Sequence, residues 1–341
     1  MPGSNFFIRL THWEYWPTKL VYFPVFIYYL WLAIKSRSFF FFDNVNPVME
    51  AGGLFGTSKY KQLNFLSDNL KPKTILIHPG TFIGAVMEKL KREEITFPFI
   101  AKPDKAERGI GVELLHDLPG LEKYLKNVSF DFIIQEYISF PFEAGVFYYR
   151  FPDAKSGKIP SIVLKEFLSV TGDGISSINE LMLKSERAKL VLKRQKIQLG
   201  NKINAIPAEG ERMLLEPIGN HNRGTAFIDG NYLINENLEK IFNAIANQLP
   251  DFHYGRFDLK APSLEAFCKG EQLRIVEVNG VNAEPAHIYD ASTPILVAWR
   301  TLFCHWGIIY QISKINSAKG LKPAKLYSML SHFREWKKVN N

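Results

Sequence analysis

Along this chain the hydrophobic pattern changes character once, near residue 46. Across 13–42 aromatic residues crowd together, and 20–34 is apolar apart from its tyrosines before it closes on Lys35, Ser36 and Arg37. After Asn46-Pro47 the pattern is that of a mixed protein. Runs at 74–77, 97–102, 132–135, 146–151, 162–167, 255–259 and 273–279 are rich in β-branched and aromatic residues and bounded by turn formers, which predicts strands. Helical periodicity covers 80–93, 118–125, 178–198, 236–248 and 294–315. Ser177 followed by Glu180 has the spacing of a capping box and marks the third helix start. Leu238, Ile241, Phe242, Ile245 and Leu249 fall on one face of the fourth helix, which should cover a sheet. Strands joined by short hairpins and covered by helices predict α+β lobes. A doubly wound sheet is disfavoured, because no GxGxxG opens a helix after a strand.

The apolar run at 20–34 is about fifteen residues long and contains Pro24, whereas a spanning helix needs about 20 predominantly apolar residues. Its rings suit a headgroup boundary, so peripheral membrane contact through 13–42 and packing as an apolar helix on the protein body both account for it. A secretory leader is not expected, since no small-residue cleavage site follows and the run leads into Phe39, Phe40, Phe41 and Phe42. With 341 residues, 46% hydrophobic and 22% charged, the chain can bury a sizeable core, and it contains no fixed-period repeat or low-complexity tract. Cys268 and Cys304 are too few for a disulfide framework or zinc site, so the expected location is the cytoplasm, with the inner face of a membrane as its peripheral extension. The net charge of +8 favours phosphates or anionic surfaces. Solvated helix faces explain the basic runs at 184–202 and 314–338, and nucleic acid is not expected as a partner.

Three constellations carry chemistry. In the first, an apolar strand delivers Lys102, Pro103 ends the ladder, and a polar loop with Gly109 and Gly111 follows; glycines let backbone N–H groups approach an anion, and a strand-end lysine fixes a positive charge. A basic hairpin loop is the competing reading. In the second, a buried strand runs into Gln135, Glu136, Tyr137 and Ile138, whose backbone can pair with a planar base, with Glu143 beyond to accept from hydroxyls. A strand followed by an exposed glutamate is equally common. In the third, Glu277 and Asn279 share one strand face, and Asp258 on a neighbouring strand can meet them. Two carboxylates and an amide suit magnesium beside a nucleotide; a plain ion pair with Arg256 or Arg274 would neutralise the acids as well.

Taken in order, Lys102-Pro103 with its glycine loop, Gln135-Glu136-Tyr137-Ile138 with Glu143, Arg256-Phe257-Asp258 and Glu277-Val278-Asn279 resemble the ATP-grasp enzymes, nearest to the D-alanine:D-alanine ligase type of carboxylate–amine ligase. The likeness covers roughly 59–290. It implies an ATP-grasp fold, two α+β lobes clasping ATP, and activation of a substrate carboxylate as an acyl-phosphate for attack by an amine or other nucleophile. It implies that Lys102 holds the α- and β-phosphates while the loop at 104–111 closes over them. Gln135 to Ile138 would form the adenine hinge and Glu143 would bind the ribose. Asp258, Glu277 and Asn279 would bind Mg2+ or Mn2+, and Arg256 would stabilise the reacting group. The family's upstream lysine is matched by Lys59, with Lys61 as the alternative, and Lys165 reads as a surface strand lysine, with a further phosphate contact as its alternative. The polar loop at 219–225 offers His221 near the γ-phosphate or acceptor. The implied division is an aromatic segment at 1–50, a small lobe at 51–95, the ATP-grasp domain at 96–315 and a basic tail at 316–341. Departures remain. No separate substrate-binding lobe precedes Lys59, and the charged loop after Lys102 argues against D-alanine. The substrate is then a small or amphiphilic carboxylate. A phosphotransferase on the same scaffold and a membrane-peripheral nucleotide binder without turnover are the rival readings; a serine hydrolase is excluded by the lack of GxSxG.

Overall fold

The computed structural model describes residues 5–107, 109–217, 219 and 223–340. Among the described residues three α-helices precede the first strand: α1 (Asn5–Thr11), α2 (Thr18–Ser36) and α3 (Lys59–Asn64), the last capped by Ser58, whose side chain accepts from the Lys61 amide. A small antiparallel sheet follows, built from β1 (Thr74–Ile77), β2 (Phe99–Pro103), β3 (Glu113–Leu115) and β4 (Phe132–Glu136) in the order β1-β4-β2-β3. Helices α4 (Ile83–Arg92) and α5 (Leu118–Asn127) cover it, laying Val86, Leu90, Leu121 and Tyr124 on Phe99, Phe132 and Ile134. Because β1 pairs with β4, this sheet crosses the boundary expected at residue 95.

The larger sheet contains β5 (Phe142–Tyr149), β6 (Lys158–Glu166), β9 (Ala226–Asp229), β10 (Tyr254–Ala261) and β11 (Arg274–Asn279), antiparallel in the order β11-β10-β5-β6-β9. Between β6 and β9 lies a small unit of β7 (Ser169–Thr171), α6 (Ile178–Lys184), α7 (Glu186–Leu199) and β8 (Arg212–Leu214), with its own apolar cluster around Ile178 and Met182. The capping box at Ser177 and Glu180 is formed. The single helix expected over 178–198 is two, because Ser185 interrupts it and caps α7 by accepting from the Ala188 amide. One face of the large sheet is covered by α8 (Glu236–Ala246) and α9 (Leu264–Lys269); Leu238, Phe242 and Ile245 of α8 and the following Leu249 pack against Val146, Phe257 and Ile275 there.

The aromatic segment joins the core. Val21 and Val25 of α2 cluster with Ala298 and Leu302 of α10 (Ile295–Ala318), and further along Tyr29 and Leu32 cluster with Ile309 and Ile312, so the two helices run side by side in the same direction. The Trp299 indole donates to the Val21 carbonyl at 2.8 Å. No helix among the described residues is long and apolar enough to cross a membrane. The stretch expected as a basic tail contains α11 (Leu326–Asn340), whose Phe333 and Trp336 rings lie 5.8 and 6.4 Å from Phe55.

Candidate functional site: a charged cleft between two sheets

The chain passes from the small sheet to the large one between Glu136, the end of β4, and Phe142, the start of β5. Beside that passage lies a cavity of about 690 Å³ lined by both sheets, by the loop after Lys102 and by α2 and α10. Among the described residues no backbone hydrogen bond engages Tyr137 or Ile138, so their amide groups are free to meet a planar ligand edge. Lys102 is buried at the end of β2, where its Nζ donates to Gln135 Oε1 and to the Val276 carbonyl, both at 3.0 Å. Strand β2 thus presents one cation while β4 and β11 anchor it.

The other charges come from the exposed face of the large sheet. Along β10 side chains alternate, so Phe257 and Leu259 enter the apolar core while Arg256, Asp258 and Lys260 line the cavity. Register places Asp258 opposite Glu277 and Arg256 opposite Asn279. On the other side Asp258 faces Gly145 of β5, where an added Cβ would stand 2.9 Å from Asp258 Oδ1 and 3.0 Å from Arg256 Cδ. A glycine is required there for close approach of the pair. Arg256 grips Asp258 through two bonds of 3.0 and 2.9 Å and donates to the Glu284 carbonyl at 3.0 Å. The Asn279 amide donates to Asp258 Oδ2 at 3.1 Å. Glu277 lies 3.4 Å from the Lys59 ammonium.

Most of the residues singled out in the sequence meet here: Lys59, Lys102, Gly109, Gln135 to Ile138, Glu143, Arg256, Asp258, Glu277 and Asn279 all line the cavity. Lys61 and Gly111 do not. Lys61 turns to the Val48 carbonyl at 3.4 Å, which leaves Lys59 as the upstream cation of the cleft. Gly111 has φ +66° and packs so closely on Pro103 that a Cβ would stand 2.9 Å from its Cγ; it shapes the turn. Arg108 and His221 lie outside the described residues.

Two lysines were misjudged or missed. Lys165 is no surface lysine: it is buried, 2.8 Å from Glu143 and 3.6 Å from Asp258. Lys260, on the cavity face of β10, stands 3.7 Å from the other Glu143 oxygen. The alternation Arg256, Asp258, Lys260 could have exposed the second; for Lys165 the sequence carried no such signal, because only sheet order places β10, with Asp258, on the far side of β5 from β6. Arg223 belongs to the polar loop at 219–225 singled out above. It donates to the Gly109 and Val112 carbonyls at 3.0 and 3.3 Å and so ties the glycine loop to the far side of the cleft.

No model of a protein family matches the chain, and no curated protein does. Solved structures do. A bifunctional glutathione synthetase from Pasteurella multocida shares 17% identity at a TM-score of 0.35, covering 74% of this chain and 38% of its own. The VanG D-Ala:D-Ser ligase from Enterococcus faecalis shares 11% at 0.43, covering 79% and 63%. A D-alanine–D-alanine ligase from Bacillus anthracis shares 16% at 0.43, covering 80% and 72%. This chain therefore spans well under two thirds of the first protein and a little under two thirds of the second. The likeness to all three is partial, and the chemistry of the cleft stands on its own geometry.

That geometry is strongly polarised. Burial pushes the Lys102 ammonium down to about 8, against the attraction of Glu277. Burial also lowers Lys260, with Glu143 opposing. For Asp258 burial would raise the carboxyl, but Arg256 and Lys165 outweigh it and hold the group below its ordinary value. Lys165 is likewise penalised by burial, yet Asp258 and Glu143 keep it above its ordinary value. Five cations, Lys59, Lys102, Lys165, Arg256 and Lys260, thus share the cavity with seven carboxylates, and among the described residues Glu143, Asp258 and Glu277 pair with all of these cations except Lys102. Lys102 is left with the neutral acceptors of Gln135 and Val276, and a buried ammonium without a carboxylate beside it is costly unless an anion completes its shell.

Proposed function

We propose that the cleft binds ATP and that the protein is an ATP-dependent ligase which activates a substrate carboxylate as an acyl-phosphate for attack by an amine or another nucleophile. The observation that carries this reading is buried Lys102, with its proton weakly held, beside a hinge with unpaired amides and among four further cations. A phosphate chain would give Lys102 the anionic partner that it lacks among the described residues. Tyr137 and Ile138 would meet the adenine edge. Lys102 and Lys59 would take the phosphates under the loop that carries Gly109.

Glu143 has both oxygens engaged by Lys165 and Lys260, so its contact with a ribose would be shared with those lysines. Magnesium fits the donor set by chemistry. Among the described residues no three His, Cys, Asp or Glu side chains converge, so the set rests on two carboxylates and an amide. Glu277 is the more open of the two carboxylates, Asn279 offers its amide oxygen, and Asp258 would share oxygens already bonded to Arg256. The metal would neutralise phosphate charge. Arg256, held in place by Asp258 and the Glu284 carbonyl, would bind the charge that develops on the reacting acyl group.

The substrate half of the cavity is aromatic and apolar. Trp13, Trp16 and Tyr22 of the N-terminal segment face Leu302 and Trp306 of α10 there, and Glu284 accepts from Tyr22 and, at 2.5 Å, from Tyr289. An amphiphilic substrate with one polar end suits that wall. Calorimetry tests the nucleotide site: Lys102→Ala should weaken ATP binding at least tenfold, and Glu277→Ala should remove mainly its dependence on magnesium. Folded wild-type protein that binds no ATP would overturn the reading. ADP release that occurs equally with and without added amines would point to phosphotransfer in place of ligation.

A further inference from the structure

Helix α2 has two apolar faces, and only one of them is used inside the protein. Val21, Val25, Tyr29 and Leu32 are buried against α10. On the opposite side Leu20, Phe23, Phe26, Ile27, Leu30, Trp31 and Ile34 form a continuous stripe at helical spacing, each between 37 and 77% exposed. A run of large apolar side chains of this length facing water is unusual in a protein that acts alone.

The charges around the stripe say what covers it. Neither α2 nor α10 contains an aspartate or glutamate, whereas Lys19, Lys35, Arg300 and Lys314 lie on them and Arg37 follows α2 directly. Lys19 and Lys35 bracket the stripe, and the Lys35 ammonium rests over the Trp31 ring, 4.3 Å from its centre. Apolar residues in the middle, an aromatic ring beside a lysine, and cations without acids match the layers of an anionic lipid surface. Helix α2 is too weakly apolar to cross a membrane, so it would lie in the plane of the surface.

We propose that the outer face of α2 seats this protein on an anionic lipid bilayer. The same helix turns Val21 and Tyr22 toward the cavity, so one helix diameter, about 10–12 Å, separates the lipid from the aromatic half of the site. A substrate held in the bilayer by an apolar chain would then be within reach.

Flotation of the full chain with vesicles tests this. With phosphatidylcholine vesicles containing phosphatidylglycerol the protein should float, with pure phosphatidylcholine at least several-fold less should do so, and high salt should weaken the difference. A Phe23→Glu/Ile34→Glu double variant alters two side chains that face solvent, and should lose binding at least tenfold while keeping its unfolding midpoint. Should the double variant fail to fold, the lipid dependence of the wild type still decides. Wild-type protein that stays in the soluble fraction with both vesicle types overturns the proposal. So does a wild-type dimer that the double variant turns into monomer, since a second copy would then be what covers the stripe.

Discussion

Lys102 concentrates the physical problem of the cleft in one atom. Its ammonium is buried, and burial, the largest influence, brings it down from 10.5 to about 8 although Glu277, Asp258 and Glu143 pull the other way and Lys59 adds to the fall. The unfolded chain therefore holds more protons than the folded one between about pH 8 and 10.5, so this lysine's contribution to stability rises with pH across that window. Ligand binding has the opposite sign. A phosphate prefers the ammonium, so the affinity for ATP should hold below pH 8 and fall by up to tenfold per pH unit above it, with proton uptake visible as a buffer-dependent heat. Lys102→Arg, which keeps its charge throughout, should flatten that profile even if its affinity is lower. Equal wild-type affinities at pH 7 and pH 9 would show that Lys102 is not the phosphate contact.

At the scale of elements, α2 shows how far a pattern can be read. The apolar run was plain, but its composition could not distinguish a buried helix from an interfacial one, because both faces are apolar; only the position of α10 shows that one side is core. Leu32→Ala should cost about 2–5 kcal/mol, as for other buried leucines, whereas Ile34→Ala should leave stability nearly unchanged. Similar losses in denaturant unfolding for the two variants would contradict this division of faces. The strands that carry the site were legible for a related reason. In β10 and β11 alternation over six to eight residues separates Arg256, Asp258 and Glu277 from Phe257 and Val278. Strands β3, β7, β8 and β9 have three or four residues each, too few for a period of two to stand out from a loop. Lys165 was hidden for a different cause: besides Glu143 of the adjoining β5 it meets Asp258 of β10, which only the long-range pairing of β10 with β5 brings within reach of β6.

Across the whole molecule, the N-terminal segment behaves as part of the body. It supplies Tyr29, Leu32, Phe41, Phe42 and Val45 to a cluster that also contains Phe147 and Tyr254 of the large sheet. Buried Asn46 just beyond it donates to the Gly52 and Tyr254 carbonyls at 3.0 and 2.8 Å. Glu14 accepts from Arg187 of α7, which ties the segment to the small unit as well. Each fully buried side chain of this size contributes about 1.5–3 kcal/mol. Val21, Val25, Tyr29 and Leu32 alone would then amount to roughly 6–12 kcal/mol, comparable with the total of about 5–15 kcal/mol that holds an ordinary domain folded. A chain that begins at residue 46 would also leave Leu302, Ile309 and Ile312 of α10 facing water. Such a truncated protein should lack a cooperative unfolding transition, aggregate, and bind no ATP, even though every residue proposed to touch the nucleotide is still present. Calorimetric scanning of the truncated and full chains decides the matter: a truncated protein that melts cooperatively at the full chain's temperature would mean that the segment is an appendage, and that the aromatic wall it gives the cavity is dispensable for folding.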